Sequence, residues 1–254
     1  MRGLARQRDR SVPRDCPRYG YLLESDGRPV GVLLTICSVA EADGSPFVRC
    51  NLSSWYVEPA FRAHATFLTS YALRDKTVTY INVSPAPNTW PIIEAQGFRI
   101  YGEGKLLTFP ALKRSSEQAR VLRVGRGVGS DGAPDLPEWA LLDDHAGYGC
   151  LSLVVEADGG LHPFVFMRRR IVRRTVPIMQ LVFCRDLAEF VRFAGPLGRY
   201  LVRRGMPWVL VDAEGPVEGL VTRPIQKTSR RYVRGPHPPR PGDLAYTEGV
   251  FYGP

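Results

Sequence analysis

The residues of this chain best placed to do chemistry gather where an apolar run stops. The run that begins at Phe47 closes on Ser54, Trp55, Tyr56, Val57 and Glu58, and Pro59 then turns the chain. Glu58, a carboxylate at a strand end, is a candidate general base, acting directly or through a water. Tyr56 and Ser54 carry transferable protons beside it. Glu58 also reads as a solvated loop carboxylate next to Pro59, and both readings stand. Other chemistries find no support: there is no Gly-x-Ser-x-Gly elbow, His-Glu-x-x-His helix or Walker loop. Five cysteines are scattered without a C-x-x-C pair, as are the four histidines. Cys37, Cys50, Cys150 and Cys184 fall in apolar, strand-like runs, so buried free thiols are expected rather than a disulfide framework or a metal site.

Regular elements must hold these groups in place. A strand over residues 48–57 leads into a helix opened at Phe61-Arg62 and running over 60–74, then a strand over 78–83. Ser84-Pro85 and Asn88 follow, then a short helix stopped at Gly97-Phe98. Ahead of this block lies a strand from Tyr19, an Asp26-Gly27 turn and the strand PVGVLLTI. The same order returns from Tyr148, through Asp158-Gly159 and HPFVFMRR, to the apolar strand VPIMQLVFC. Asp-Gly suits such hairpins because both residues tolerate positive φ at little cost. Asp186 then caps a helix with apolar positions at Leu187, Phe190, Val191, Ala194, Leu197 and Leu201, either continuous or broken at Gly195-Pro196. A strand follows from Trp208 to Val211. Self-similarity over this length reads as duplication of one α/β unit.

The boundaries expected are 1–120 for the first unit, 121–139 for a Gly/Pro-rich connector and 140–254 for a more divergent second unit. The connector holds a formal G-x-G-x-x-G (Gly127, Gly129, Gly132), but Pro134 and Pro137 oppose the helix a dinucleotide fingerprint must open, so a loop is expected. The segment from Leu244 to Tyr252 reads as an apolar strand. Arg168 to Arg170, with Arg173 and Arg174, reads as a basic tip between two strands.

The order strand, Val57-Glu58-Pro59, Arg62 turn, helix, strand, Ser84-Pro85 and Asn88 resembles the GNAT superfamily of acyl-CoA-dependent N-acyltransferases. The resemblance implies an α/β (α+β) fold of tandem GNAT-like units, each a mixed, mostly antiparallel sheet flanked by helices. It also implies acetyl-CoA or another acyl-CoA as cosubstrate and a small-molecule or protein amine as acceptor. On this resemblance Val57, Arg62, Ala63, His64, Ala65 and Thr66 form the cofactor turn, whose amides and helix start bind the pyrophosphate. Asn88 contacts the pantetheine arm, or else caps the next helix. Asn51 to Ser54 either hosts the bulge that the family places on this strand or faces solvent. Two departures are plain. Phe67 replaces a small residue of the family loop, where its ring would fill the pyrophosphate channel or turn into the core. Ile93 occupies the position of the family's acid, a tyrosine four residues before Gly97-Phe98. An acyltransferase acting on Glu58 and Tyr56, or a catalytically inactive GNAT-like binding module, are therefore both expected readings. Only eighteen residues precede Tyr19, where the family carries a strand and two helices. Either the unit is shortened or the second copy supplies the missing wall.

Composition bounds the rest. At 254 residues, 44% hydrophobic and 23% charged, the chain has the make-up of a soluble globular protein. No apolar run nears the roughly 20 residues of a membrane helix, and the basic N-terminus lacks a signal peptide's apolar stretch, so a cytoplasmic location without membrane contact is expected. Net charge is +9, carried almost wholly by arginine. This suits a polyanionic cofactor, or solvated arginines encoded by a GC-rich genome. Basic runs are not interleaved with aromatics, so nucleic acid is not an expected partner.

Overall fold

In the computed structural model, residues 2–8, 10–115, 118–125, 135–171, 176–225 and 230–253 are described. The strands are β1 Gly20–Ser25, β2 Arg28–Ala42, β3 Ser45–Val57, β4 Thr79–Asn82, β5 Arg99–Gly102, β6 Lys105–Thr108, β7 Arg120–Arg123, β8 Leu151–Ala157, β9 Gly160–Ile171, β10 Val176–Phe183, β11 Val209–Val211, β12 Thr222–Ile225 and β13 Arg231–Arg234. The helices are α1 Arg2–Arg8, α2 Ala65–Ala72, α3 Trp90–Ala95, α4 Trp139–Gly147, α5 Leu187–Val202 and α6 Glu248–Tyr252. Short 3-10 turns span Pro59–His64, Pro87–Thr89 and Pro110–Leu112.

Turn chemistry sets the hairpins. Asp26 and Gly27 lie at φ 51° and 75°, and Asp158 and Gly159 at φ 50° and 71°. Positive φ at both central residues matches the right-handed twist of the flanking strands. Each hairpin opens a similar sequence of elements. An antiparallel run β1-β2-β3 is followed by α2 and by β4, which lies parallel to β3. Likewise β8-β9-β10 is followed by α5 and by β11, parallel to β10.

The sheets are six-stranded, β1-β2-β3-β4-β13-β5, and seven-stranded, β12-β6-β11-β10-β9-β8-β7. Here the topology adds something local patterning does not contain. β6 follows β5 in the chain yet lies beside β11 in the second sheet, while β13 follows β12 yet lies beside β4 in the first. Each half thus gives its last strand to the other half's sheet. The two sheets fit the tandem reading. The exchange also makes one compact unit of Met1–Tyr101, Ser229–Pro239 and Tyr246–Gly253, and the other of Gly102–Thr228 and Arg240–Ala245. This division crosses the sequence boundaries near 120 and 140, because β13 and α6 return to the first unit.

The first unit's core gathers Leu33, Leu52, Leu68, Leu73, Ile93 and Tyr232 between sheet and helices. The second packs α5 on its sheet through Phe190, Phe193, Leu197 and Leu201 against Phe164 and Phe166. Asp186 caps α5 by accepting from the Glu189 amide at 2.6 Å. That helix runs through Gly195-Pro196 without a break. The reason is packing: a Cβ on Gly195 would meet the Lys113 carbonyl at 2.6 Å, and one on Gly198 the Ala111 nitrogen at 2.1 Å. The small residues admit the Pro110–Leu112 turn, and burial of this face outweighs the hydrogen bond lost at Pro196.

Two other expectations change. The segment Leu244 to Tyr252 is no strand: its apolar residues fall in adjacent pairs, Leu244-Ala245 and Val250-Phe251, which alternation along a strand would send to opposite faces. Instead Thr247 is extended and α6 begins at Glu248. Arg6 of α1 donates to the Val250 and Phe251 carbonyls at 3.1 and 3.2 Å, satisfying the end of α6. Arg168 to Arg170 belong to the ladder of β9 with β10 rather than a tip, and Arg169 donates to Gln180 at 2.9 Å. Arg173, Arg174 and the Gly127-Gly129-Gly132 motif lie outside the described residues.

Candidate functional site

The site begins where two parallel strands part. β3 and β4 pair only at Arg49↔Thr79, Cys50↔Tyr80 and Asn51↔Ile81, after which β3 continues to Val57 with no ladder to β4. The other edge of β3 is irregular at the same level. Leu33 faces Trp55 and Thr35 faces Leu52, so Ser53 and Ser54 together oppose Leu34. Two residues against one is a bulge, which bends the strand and re-aims its side chains. The polar run Asn51 to Ser54 hosts that irregularity, and Asn51 is buried rather than facing solvent. On the opposite side β4 stops at Asn82, and Ser84-Pro85 turns the chain away from the sheet.

Between the diverging ends lies a cleft of about 260 Å³. Leu33, Leu52, Ile93 and Phe98 supply apolar wall, while Ser53, Ser54, Asn82, Ser84 and Gln96 supply polar groups. Its volume is below the ~300–1,000 Å³ of sites that enclose a drug-sized ligand, so it fits one end of a longer molecule. Glu248, the first residue of α6, also lines it and is the only ionisable side chain among the lining residues. Its carboxylate accepts from Ser53 at 2.7 Å on the β3 side and from Ser84 at 2.5 Å beyond β4. One side chain thereby bridges the two walls.

Asn51 fixes that bridge at the crotch of the divergence. Its Nδ2 donates to the Leu52 carbonyl at 2.7 Å and the Ile81 carbonyl at 3.3 Å, and its Oδ1 accepts from the Glu248 amide at 2.6 Å. With 1% of its surface exposed, Asn51 ties β3, β4 and α6 together. At the far end of α6, burial and then the Glu248 carboxylate push the Tyr252 phenol up to about 12. It stays protonated and donates to Gln7 at 3.2 Å.

The residues singled out from sequence fall elsewhere. Tyr56 is exposed at the end of β3, and Glu58 pairs with the exposed Arg28. Val57 is buried in the first core. Arg62, Ala63, His64 and Thr66 are exposed and Ala65 half-buried at the start of α2. This turn forms a 3-10 helix that continues into α2. Within it the Phe61 amide bonds Glu58 O at 2.9 Å and the Ala65 amide bonds Arg62 O, while the Glu58 amide bonds Val30 O at 2.8 Å. Phe67 does not turn into the core: it is 67% exposed and stacks on His64 with ring centroids 6.0 Å apart. Three residues along a helix, the two rings share one face. Asn88 is exposed in the Pro87–Thr89 turn and caps no helix; Thr89 precedes α3, with Pro91 in its first turn. None of these residues lines the cleft. Of the residues and runs considered from sequence, Leu52 to Trp55, Ser84-Pro85, Ile93 and Phe98 do line it, and Ile93, in the acid's position, contributes only apolar surface.

Sequence reasoning missed Glu248, Asn51 as its anchor, and Gln96, whose amide donates to Thr69 of α2 at 2.6 Å. Glu248 lies 197 residues from Asn51, and its one local signal was Thr247-Glu248 as a helix start. Among the described residues no cluster of His, Cys, Asp and Glu is placed to hold a metal ion, and no helix is long and apolar enough to cross a membrane.

No protein-family model matches the sequence, and no curated protein matches it. Solved structures do match. A GCN5-related N-acetyltransferase from Anabaena variabilis superposes with a TM-score of 0.53 at 12% identity, over 84% of this chain and 61% of that one. A conserved protein of unknown function from Enterococcus faecalis, described as a probable N-acyltransferase, gives a TM-score of 0.51 at 12% identity, over 83% and 60%. The chain spans about three fifths of the length of each. At this identity the likeness speaks to architecture: the chain has the GNAT fold.

Proposed function

We propose that the chain is an acyl-CoA-dependent acyltransferase acting on an amine, with the acyl end of the cosubstrate in the β3–β4 cleft. The single observation that carries this is the parting of two parallel strands beside a bulge. Beyond Asn51 that edge of β3 has no ladder to β4, and it borders a cleft large enough for one end of a long ligand. An extended arm carrying amides complements such an edge, because strand-like pairing is available without unfolding anything. Bound acyl-CoA would supply the activated thioester. Ser54 would offer a hydroxyl donor to its carbonyl, the Ser53 and Ser84 hydroxyls being given to Glu248, and Leu33, Leu52, Ile93 and Phe98 would exclude water from the acyl group. Val57 and the turn Arg62 to Thr66 would receive the phosphate end, with Arg62 and the start of α2 supplying positive potential. Asn88 would border the pantetheine arm. Tyr56 and Glu58 remain the proposed proton carriers nearest that turn.

Mixing the protein with acetyl-CoA and a panel of amines, and following free thiol, tests the reading. Amine-dependent thiol release above the rate without protein is expected; its absence across the panel counts against transfer. A second reading, an inactive acyl-CoA-binding module, is favoured by one observation: Ile93 presents no proton where an acid is needed. Binding of acetyl-CoA without thiol release would select it.

A further inference from the structure

We propose that Glu248 is a cation-recognition residue, and that the cleft takes a primary ammonium group carried on a slender alkyl chain. This goes beyond the acyltransferase reading: the alkylammonium and the acyl end would occupy the one cleft in turn, and the cation site stands or falls by itself.

Its basis is an imbalance in the cleft. A carboxylate offers about four acceptor sites, and the side chain of Glu248 receives two hydroxyl donors, Ser53 and Ser84. Among the described residues no other donor reaches it, which leaves one lone pair on each oxygen of a residue that lines the cavity. No cationic side chain stands among the lining residues to neutralise it. A partly desolvated carboxylate with spare acceptor capacity attracts a donor-rich cation, and an ammonium brings three N–H donors to a point. Anionic ligands are repelled by the same charge. The apolar wall of Leu33, Leu52, Ile93 and Phe98 complements methylene groups attached to that cation.

The carboxylate is also held in place. Asn51 binds the Glu248 backbone amide, Ser53 and Ser84 bind its oxygens from opposite walls, and Arg6 satisfies the far end of α6. A charged group fixed from both sides loses little freedom when a ligand arrives, which favours binding. Asn51 is therefore a positioning residue for this site.

The test titrates the full chain with hexylammonium chloride and, separately, with 1-hexanol, following amide chemical shifts and heat. Hexylammonium is expected to move the Glu248 and Ser84 amide signals, while hexanol binds far more weakly. In Glu248→Gln, which keeps the shape and can still accept from a serine, hexylammonium affinity should fall at least tenfold with hexanol unchanged. Equal binding of hexylammonium to both proteins overturns the proposal, as does no binding to wild type. Should Glu248→Gln fail to fold, the wild-type shift map alone decides: perturbations that bypass Glu248 and Ser84 overturn it. A parallel acetyl-CoA titration separates the two readings. Hexylammonium binding without acetyl-CoA binding leaves the cation site and removes acyl transfer; the reverse leaves the cosubstrate cleft and removes the cation site.

Discussion

Replacing Asn51 by alanine removes three hydrogen bonds at once from the crotch of the cleft. Two are donated to the Leu52 and Ile81 carbonyls at 2.7 and 3.3 Å, and one is accepted from the Glu248 amide at 2.6 Å. Each is worth about 1 kcal/mol net, the long one less. The site is buried, with Asn51 only 1% exposed, so water does not readily replace the lost partners. The loss is therefore about 2–3 kcal/mol. For a protein of this size, 1 kcal/mol moves the melting temperature by about 2–4 °C, so the transition that reports the first unit should fall by about 5–10 °C. Calorimetry measures that shift. Hydrogen exchange supplies a local readout, because the Glu248 amide loses its acceptor and α6 its tether to β3. Faster exchange from Glu248 to Tyr252 should accompany the destabilisation. A shift below about 2 °C with unchanged exchange in α6 would refute the claim that Asn51 joins the two strands to that helix.

Other outcomes follow from the same geometry. A chain ending at residue 125 lacks β13, whose Tyr232 and Val233 are fully buried and which separates β4 from β5; it should show no cooperative urea transition, and a cooperative one would contradict the strand exchange. Phe67→Ala should change stability by no more than about 0.5 kcal/mol in urea melts, since the ring is 67% exposed and, among the described residues, stacks on His64 alone. A large loss there would place the ring in the core after all. Burial raises the Glu138 carboxyl, but its two hydrogen bonds from Arg185, at 2.7 and 2.9 Å, more than offset this and hold it below the usual value of 4.5. Its folded pKa is depressed, so its contribution is present above pH 4.5 and is lost as pH falls through the lower folded value. Glu138→Gln should accordingly be less stable than wild type at neutral pH, with the gap closing below pH 4.5; a gap that persists or grows on acidification would contradict the ion pair.

What could be read from the sequence was what short segments decide for themselves. Asp26-Gly27 and Asp158-Gly159 announced their hairpins because positive φ is a property of those two residues. Asp186 announced α5 because its side chain reaches an amide three residues on. Gly195-Pro196 left a continuous and a broken helix both open, since whether a proline breaks a helix depends on what packs there, and here a distant turn needs the small residues. Strand exchange was illegible: β6 and β13 look like any short strand, and their choice of neighbour is fixed by the whole topology. The site divides the same way. The strand, turn and helix around Val57 were visible as one local block, and so was the polar run that forms the bulge. Glu248 was not, because its importance arises only when α6 returns to a divergence set up at Asn51.

The most direct measurement is calorimetric titration of acetyl-CoA into wild type and into Ile93→Trp, a substitution that puts an indole into the cleft from α3. If acyl-pantetheine occupies the space between β3 and β4, wild type binds one equivalent and the tryptophan variant, still folded by its melting transition, does not. Absence of binding to wild type, or equal binding to both, would contradict the account.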